Sequence, residues 1–145
     1  MNLKFTLAYD GSLFQGSQKQ PNGMTVEDKL LKAFKKINIE TNIVLSGRTD
    51  KEVHATGQVF NCVVPDFWQD FFKLKDILNK NLPSSIKILR IQKVKDDFHS
   101  RFHAKKRVYR YLITTKPTTP FNNKFITHIK NVDEELLQKA IKEFI

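Results

Sequence analysis

The spacing of hydrophobic residues changes from one period to another early in the chain, and this change restricts the fold more than any other feature. Leu3, Phe5, Leu7 and Tyr9 alternate with Lys4, Thr6 and Ala8, the two-residue period of a half-buried strand. Val26, Leu30, Leu31, Phe34 and Ile37 then fall on one face of a helix. Between them lie a turn at Asp10-Gly11-Ser12 and a loop over 16–23 that contains Pro21-Asn22-Gly23. Thr25 is placed to cap the helix, with Asp28 three residues on as the other half of a capping box. The switching continues. Ile43-Val44-Leu45 suits a short strand and Val59 to Val64 another. Phe67 to Asn81 suits a second helix, with Phe71, Leu74, Ile77 and Leu78 inward and Pro83 beyond its end. Ile86, Ile88, Leu89, Ile91 and Val94 suit a strand, and Arg107 to Thr114 one more. This predicts an α+β domain of order β-α-β-β-α-β with an added strand, the ferredoxin-like split arrangement. RNA-recognition domains share that topology and use the open face of the sheet.

At 145 residues the chain makes one domain, or one domain and the start of another. A hydrophobic content of 40% with twelve Phe is enough for a packed core. No apolar run approaches the length of a membrane span. Met1-Asn2-Leu3-Lys4-Phe5 passes directly into the first strand, so no signal peptide is expected. The single cysteine, Cys62, excludes an internal disulfide framework and fits a reducing, cytoplasmic setting. Its neighbours Asn61 and Val63-Val64 place it in a strand interior.

The net charge of +10 is unevenly spread. From Lys73 to Lys130 there are fifteen Lys and Arg against three acids (Asp76, Asp96 and Asp97), a balance of +12. A basic field of this kind attracts phosphate polymers. A solvated face is the alternative. A membrane surface fits less well, because the basic residues are interleaved with strand-like alternation and not with an amphipathic helix.

Chemistry concentrates in Ser46-Gly47-Arg48-Thr49-Asp50, followed by Val53-His54-Ala55-Thr56-Gly57-Gln58-Val59. A guanidinium two residues from Asp50 favours the ionised carboxylate. An aspartate held anionic at a strand end is a candidate nucleophile. The alternative is an Asx-type turn with a surface ion pair. A glycosidase-like hydrolase would need a second acid, for which Glu52 is the only nearby candidate. His99 and His103 flank Arg101. With one distant cysteine and no clustered carboxylates they do not make a metal site. His54 reads as a turn residue that supports the motif.

The chain resembles the TruA-type tRNA pseudouridine synthases along essentially its whole length. Tyr9-Asp10-Gly11-Ser12 through Gly16 is similar to the family's opening signature, and Gly47-Arg48-Thr49-Asp50 through Val59 to its catalytic motif. Asn81-Leu82-Pro83, Asp97-Phe98-His99-Ser100-Arg101-Phe102 and Arg107-Val108-Tyr109-Arg110-Tyr111 follow in the family's order. The resemblance implies the pseudouridine synthase fold and isomerisation of uridine to pseudouridine in the anticodon arm of tRNA (positions 38–40 in the family), without cofactor or metal. It implies a homodimer, with tRNA as the partner. It makes Asp50 the catalytic carboxylate, whether by attack on the sugar, attack on the base or removal of a sugar proton. Arg48 would keep Asp50 ionised, and fill the stack or grip phosphate when the base leaves. Tyr109 would stack on the uracil, with Tyr111 more a packing residue. Arg101, Lys105, Lys106, Arg107 and Arg110 would contact phosphate without reading sequence.

Two departures stand out: Ser17 where the family usually has tryptophan, and Lys51-Glu52 in place of a small Ala-Gly pair. Residues 1–130 are expected to form the N-terminal catalytic, RNA-binding domain. Residues 131–145 are expected to begin a second domain or connecting helix, cut short within the helix. That helix starts after Asn131 or Asp133 and carries the apolar stripe Leu136, Leu137, Ala140, Ile141 and Phe144. The alternative to an active synthase is a catalytically incomplete chain that only binds RNA.

Overall fold

The computed structural model describes residues 1–21 and 23–143. They form two compact units, Met1–Lys106 and Arg107–Ile145. The first unit holds β1 (Asn2–Tyr9), α1 (Val26–Lys35), β2 (Val44–Leu45), β3 (Ala55–Val63), α2 (Phe71–Asn81) and β4 (Ile86–Lys93). Its strands make one antiparallel sheet in the order β2-β3-β1-β4. The alternation in β1 does what its period predicts: Leu3, Phe5, Leu7 and Tyr9 are all buried. Phe5 lies opposite Phe60 of β3, their rings stacked at 4.5 Å, and Phe34 of α1 meets the Phe5 ring edge-on at 5.6 Å. Leu74 and Leu78 of α2 join the same core, so one face of the sheet is covered by helices. Burial also pushes the Cys62 thiol up to about 12, which keeps it protonated and inert at neutral pH.

α1 begins as its sequence predicts. The Thr25 hydroxyl accepts from the Asp28 N–H at 3.2 Å, and the Asp28 carboxylate accepts from the Thr25 N–H at 3.3 Å. α2 starts later than Phe67. Asp70 caps it by accepting from the Lys73 N–H at 2.9 Å, and Pro65 to Trp68 form a turn instead. In β4 the pairing shifts: Thr6 lies opposite Arg90 but Leu7 opposite Ile88. Leu89 is therefore an extra residue, which flips the alternation so that Ile88 and Ile91 both face the core while Leu89 is exposed.

The second unit differs from expectation. Arg107 to Thr114 is not an added strand of the sheet. Only Ile113–Thr114 (β5) is paired, in parallel with Thr127–His128 (β6), in a separate two-stranded sheet. Residues 107–112 have strand-like composition, but a strand exists only where a partner edge accepts its hydrogen bonds. α3 (Glu134–Lys142) follows, capped by Asp133, whose carboxylate accepts from the Leu136 N–H at 2.9 Å. Leu136, Leu137 and Ile141 of its apolar stripe are exposed, and Phe144 lies outside the described residues, as does Asn22 of the loop over 16–23. No described residue beyond Ser100 is buried. Compactness divides the chain after Lys106.

Candidate functional site

The segment between β2 and β3 carries Arg48 and Asp50, and it is held from behind at almost every residue. Gln58 of β3 grips its start: the Ser46 hydroxyl donates to Gln58 Oε1 at 2.7 Å, and Gln58 Nε2 donates to the Gly47 carbonyl at 3.0 Å. Thr49 is held at three points. Its N–H donates to Ser17 Oγ at 2.8 Å, its carbonyl accepts from the Ser17 N–H at 3.0 Å, and its hydroxyl meets the Tyr9 hydroxyl at 2.8 Å. Gly16 makes the approach possible. It has φ +111°, and a Cβ there would lie 3.0 Å from the Thr49 carbonyl oxygen. The Val26 N–H donates to the Gly16 carbonyl and the Glu27 N–H to that of Ser17, so the first turn of α1 carries the bracket. Burial raises the Tyr9 phenol above its ordinary value, while hydrogen bonds with Thr49, Gln58 and Ser17 act in the opposite direction.

The end of the segment is closed as tightly. The Val53 N–H donates to the Asp50 carbonyl across a turn, in which Glu52 takes a left-handed φ of +66°. That region favours glycine and costs a side-chain-bearing residue roughly 1 kcal/mol. Lys51 and Glu52 form an exposed ion pair at 3.3 Å. The bulky pair is thus accommodated at the surface, with the strain borne by one residue. His54 Nδ1 accepts from the Gly11 N–H at 3.0 Å and lies 3.2 Å from Asp10 Oδ1. It ties the segment to the Asp10–Ser12 turn, where Asp10 also accepts from the Ser12 N–H at 3.1 Å.

With Thr49 turned inward, Arg48 and Asp50 are both exposed. Among the described residues no ion pair joins them, so the alternative of an Asx-type turn closed by a surface ion pair between these two is not what the segment forms. At an exposed site water competes successfully for both charges. The result is a carboxylate and a guanidinium presented to solvent on a rigid support.

Arg101, Lys105 and Lys106 are exposed on the first unit. Arg101 follows Ser100, whose N–H and hydroxyl both donate to Asn61 Oδ1 at 2.8 Å. Asn61 in turn donates to Asn2 Oδ1 at 3.0 Å, anchoring the 95–103 segment to the sheet. His99 and His103 use ring nitrogens locally: His103 Nδ1 accepts from the His99 N–H at 3.1 Å. Among the described residues no group of three or more His, Cys, Asp and Glu is placed to hold a metal ion. Arg107, Tyr109 and Arg110 belong to the second unit, where all three are exposed, Tyr109 at 65%. Sequence reasoning missed the supporting roles of Ser17 and Gln58. Gln58 lies within the motif, but a side chain that accepts from the Ser46 hydroxyl and donates to the Gly47 carbonyl leaves no mark on hydrophobic period.

The family model described as tRNA pseudouridine synthase matches residues 6–103. The chain is 40% identical over 141 residues to the tRNA pseudouridine synthase A of Helicobacter pylori (strain HPAG1), a match covering 97% of this chain and 57% of that protein. It is 38% identical over 136 residues to that of Wolinella succinogenes, covering 94% and 54%. With that of Streptococcus agalactiae serotype III (strain NEM316) it is 36% identical over 146 residues, covering 98% and 56%. The chain thus spans a little over half the length of the curated relatives it matches. Among the described residues no helix is long and apolar enough to cross a membrane. The matched span includes the whole Tyr9-to-Gln58 support and the Arg48–Asp50 segment it carries: the chain belongs to the tRNA pseudouridine synthase family.

Proposed function

We propose that this chain supplies the carboxylate-bearing half of an enzyme that isomerises uridine to pseudouridine in the anticodon arm of tRNA. The observation that carries this reading is the clamped segment: Thr49 held at three points, with Arg48 and Asp50 presented to solvent on either side of it. A rigid carboxylate suits a reaction in which position matters more than reagent strength. The bond between C1′ and N1 of uracil breaks, the base turns over, and a bond forms between C1′ and C5. The proton on C5 is lost and N1 gains one, so the isomerisation is redox-neutral and calls for no redox cofactor. The target nucleotide must leave its stack to reach such a carboxylate, since its reacting atoms are inaccessible inside a stem.

In this reading Asp50 is the catalytic group. Arg48 grips phosphate or fills the space left by the extruded base, and its exposure suits that task. Tyr109 stacks on the uracil, a contact worth on the order of 1–3 kcal/mol. Arg101, Lys105, Lys106, Arg107 and Arg110 hold the tRNA backbone. The sheet order β2-β3-β1-β4, with a helix in each crossover, supports the ferredoxin-like arrangement as the fold of the first unit. A cytoplasmic homodimer is the assembly this family reading carries.

The test is Asp50→Asn in the native protein, with unmodified tRNA mapped for pseudouridine. Product formation is expected to fall at least about 10³-fold, with tRNA affinity within a few-fold of wild type. Undiminished turnover in a folded variant would overturn the role of Asp50. A wild-type protein that binds tRNA but forms no pseudouridine would favour the RNA-binding alternative.

A further inference from the structure

We infer that Ser17 is a positioning residue for the Arg48–Asp50 segment, holding the peptide between the two charged residues by both its N–H and its carbonyl. The proposal rests on the reading of Asp50 as the catalytic carboxylate. Ser17 is buried, yet it lies in a loop far from the motif in sequence. Its Oγ accepts from the Thr49 N–H at 2.8 Å and approaches the Thr49 carbonyl at 3.4 Å. The same carbonyl accepts from the Ser17 N–H at 3.0 Å. Arg48 and Asp50 are exposed and have no side-chain partner of their own among the described residues. Their placement is therefore set through the backbone, most closely through Thr49 between them and also through the Gly47 and Asp50 carbonyls.

The hold is transmitted to a rigid element. The carbonyls of Gly16 and Ser17 accept from the N–H groups of Val26 and Glu27 at 3.2 and 3.0 Å, in the first turn of α1. That turn is fixed by the Thr25–Asp28 capping box. The path from α1 through Ser17 to Thr49 consists of hydrogen bonds alone, and Ser17 Oγ is the one side-chain atom in it that a substitution removes without touching the backbone. A displacement on the order of 1 Å at a reacting group costs about 10²-fold in rate. Loss of the Oγ is expected to act on the chemical step and not on binding of the distant parts of tRNA.

The experiment compares wild type, Ser17→Ala, Ser17→Cys and a core control, Ile39→Val, in the native protein. Ser17→Ala is expected to lower kcat at least about tenfold with KM for tRNA changed less than about threefold. Its Thr49 amide is expected to exchange hydrogen at least about tenfold faster, because its acceptor is gone. Ser17→Cys keeps a weak acceptor of similar size and is expected to fall between wild type and Ser17→Ala. It also keeps the comparison open if the alanine variant does not fold. Ile39 is buried in the core, and Ile39→Val is expected to lower Tm and to leave kcat unchanged. Undiminished kcat in the Ser17 variants, unaltered Thr49 exchange, or a kcat loss that merely follows Tm in all variants would each overturn the role of Ser17. A wild-type protein with no turnover would instead overturn the catalytic reading on which the proposal stands.

Discussion

Gly11 stands where no side chain fits. A Cβ added there would lie 2.0 Å from the Val53 carbonyl oxygen and 2.4 Å from its carbon, both backbone atoms that cannot rotate away. Gly57, in the same motif, has nothing within 4 Å of the corresponding point. Gly11→Ala is expected to destabilise the protein by about 2–4 kcal/mol, read from urea unfolding, because the turn and the Asp50–Val53 segment must separate. Gly57→Ala serves as its internal comparison, and an equal, small effect at both sites would show that the Gly11 contact relaxes cheaply. Sequence named both glycines as parts of motifs. That one is sterically obligatory and the other is not depends on which backbone passes within reach, a fact of tertiary structure.

Among the elements, α1 was the most legible. Its caps and its apolar face are local properties, and Thr25, Asp28, Val26, Leu30 and Phe34 stand as their spacing predicted. Because Thr25 is buried, its loss leaves N–H groups at the helix start without partner or water. Thr25→Ala is expected to cost about 1–2 kcal/mol in chemical denaturation, and a change below about 0.3 kcal/mol would mean that water replaces the cap. α2 starts later than its apolar period implies, because Phe67 and Trp68 extend that pattern ahead of the capping residue, whereas Asp70 is what satisfies the first N–H groups. The β4 bulge was invisible for a related reason. Ile86, Ile88, Leu89 and Ile91 admit two registers, and only pairing with β1 decides that Leu89 is the extra residue.

For the molecule as a whole, the basic excess is laid out on the surface. Of the fifteen Lys and Arg from Lys73 to Lys130, all but Lys75 are exposed, and Lys75 lies over the Phe72 ring at 5.4 Å. Lys105 and Lys106 stand at the end of the first unit and form no ion pair with any acid among the described residues. Replacing both with Ala in the native protein is expected to weaken tRNA binding and to make the slope of log affinity against log salt shallower by roughly one unit per lost phosphate contact. An unchanged slope would remove these lysines from the interface. The same scale explains why 107–112 is not a strand. Arg107 to Thr114 alternates as a strand should, but outside Ile113–Thr114 it has no paired edge, and Val108, Tyr109 and Tyr111 are exposed.

By itself the sequence determined the family, the element order of the first unit, the buried face of β1, the cap of α1 and the identity of Asp50 and Arg48 as the residues to watch. These rest on period, capping chemistry and motif, all of which are written within a few neighbouring residues. Tertiary structure alone decided that Ser17, Tyr9 and Gln58 hold the Arg48–Asp50 segment, that Arg48 and Asp50 face solvent without pairing, that Leu89 bulges, and that 107–112 pairs with nothing described. Each of those depends on contact between residues distant in sequence, and hydrogen bonds or edges of that kind form only after the chain has folded.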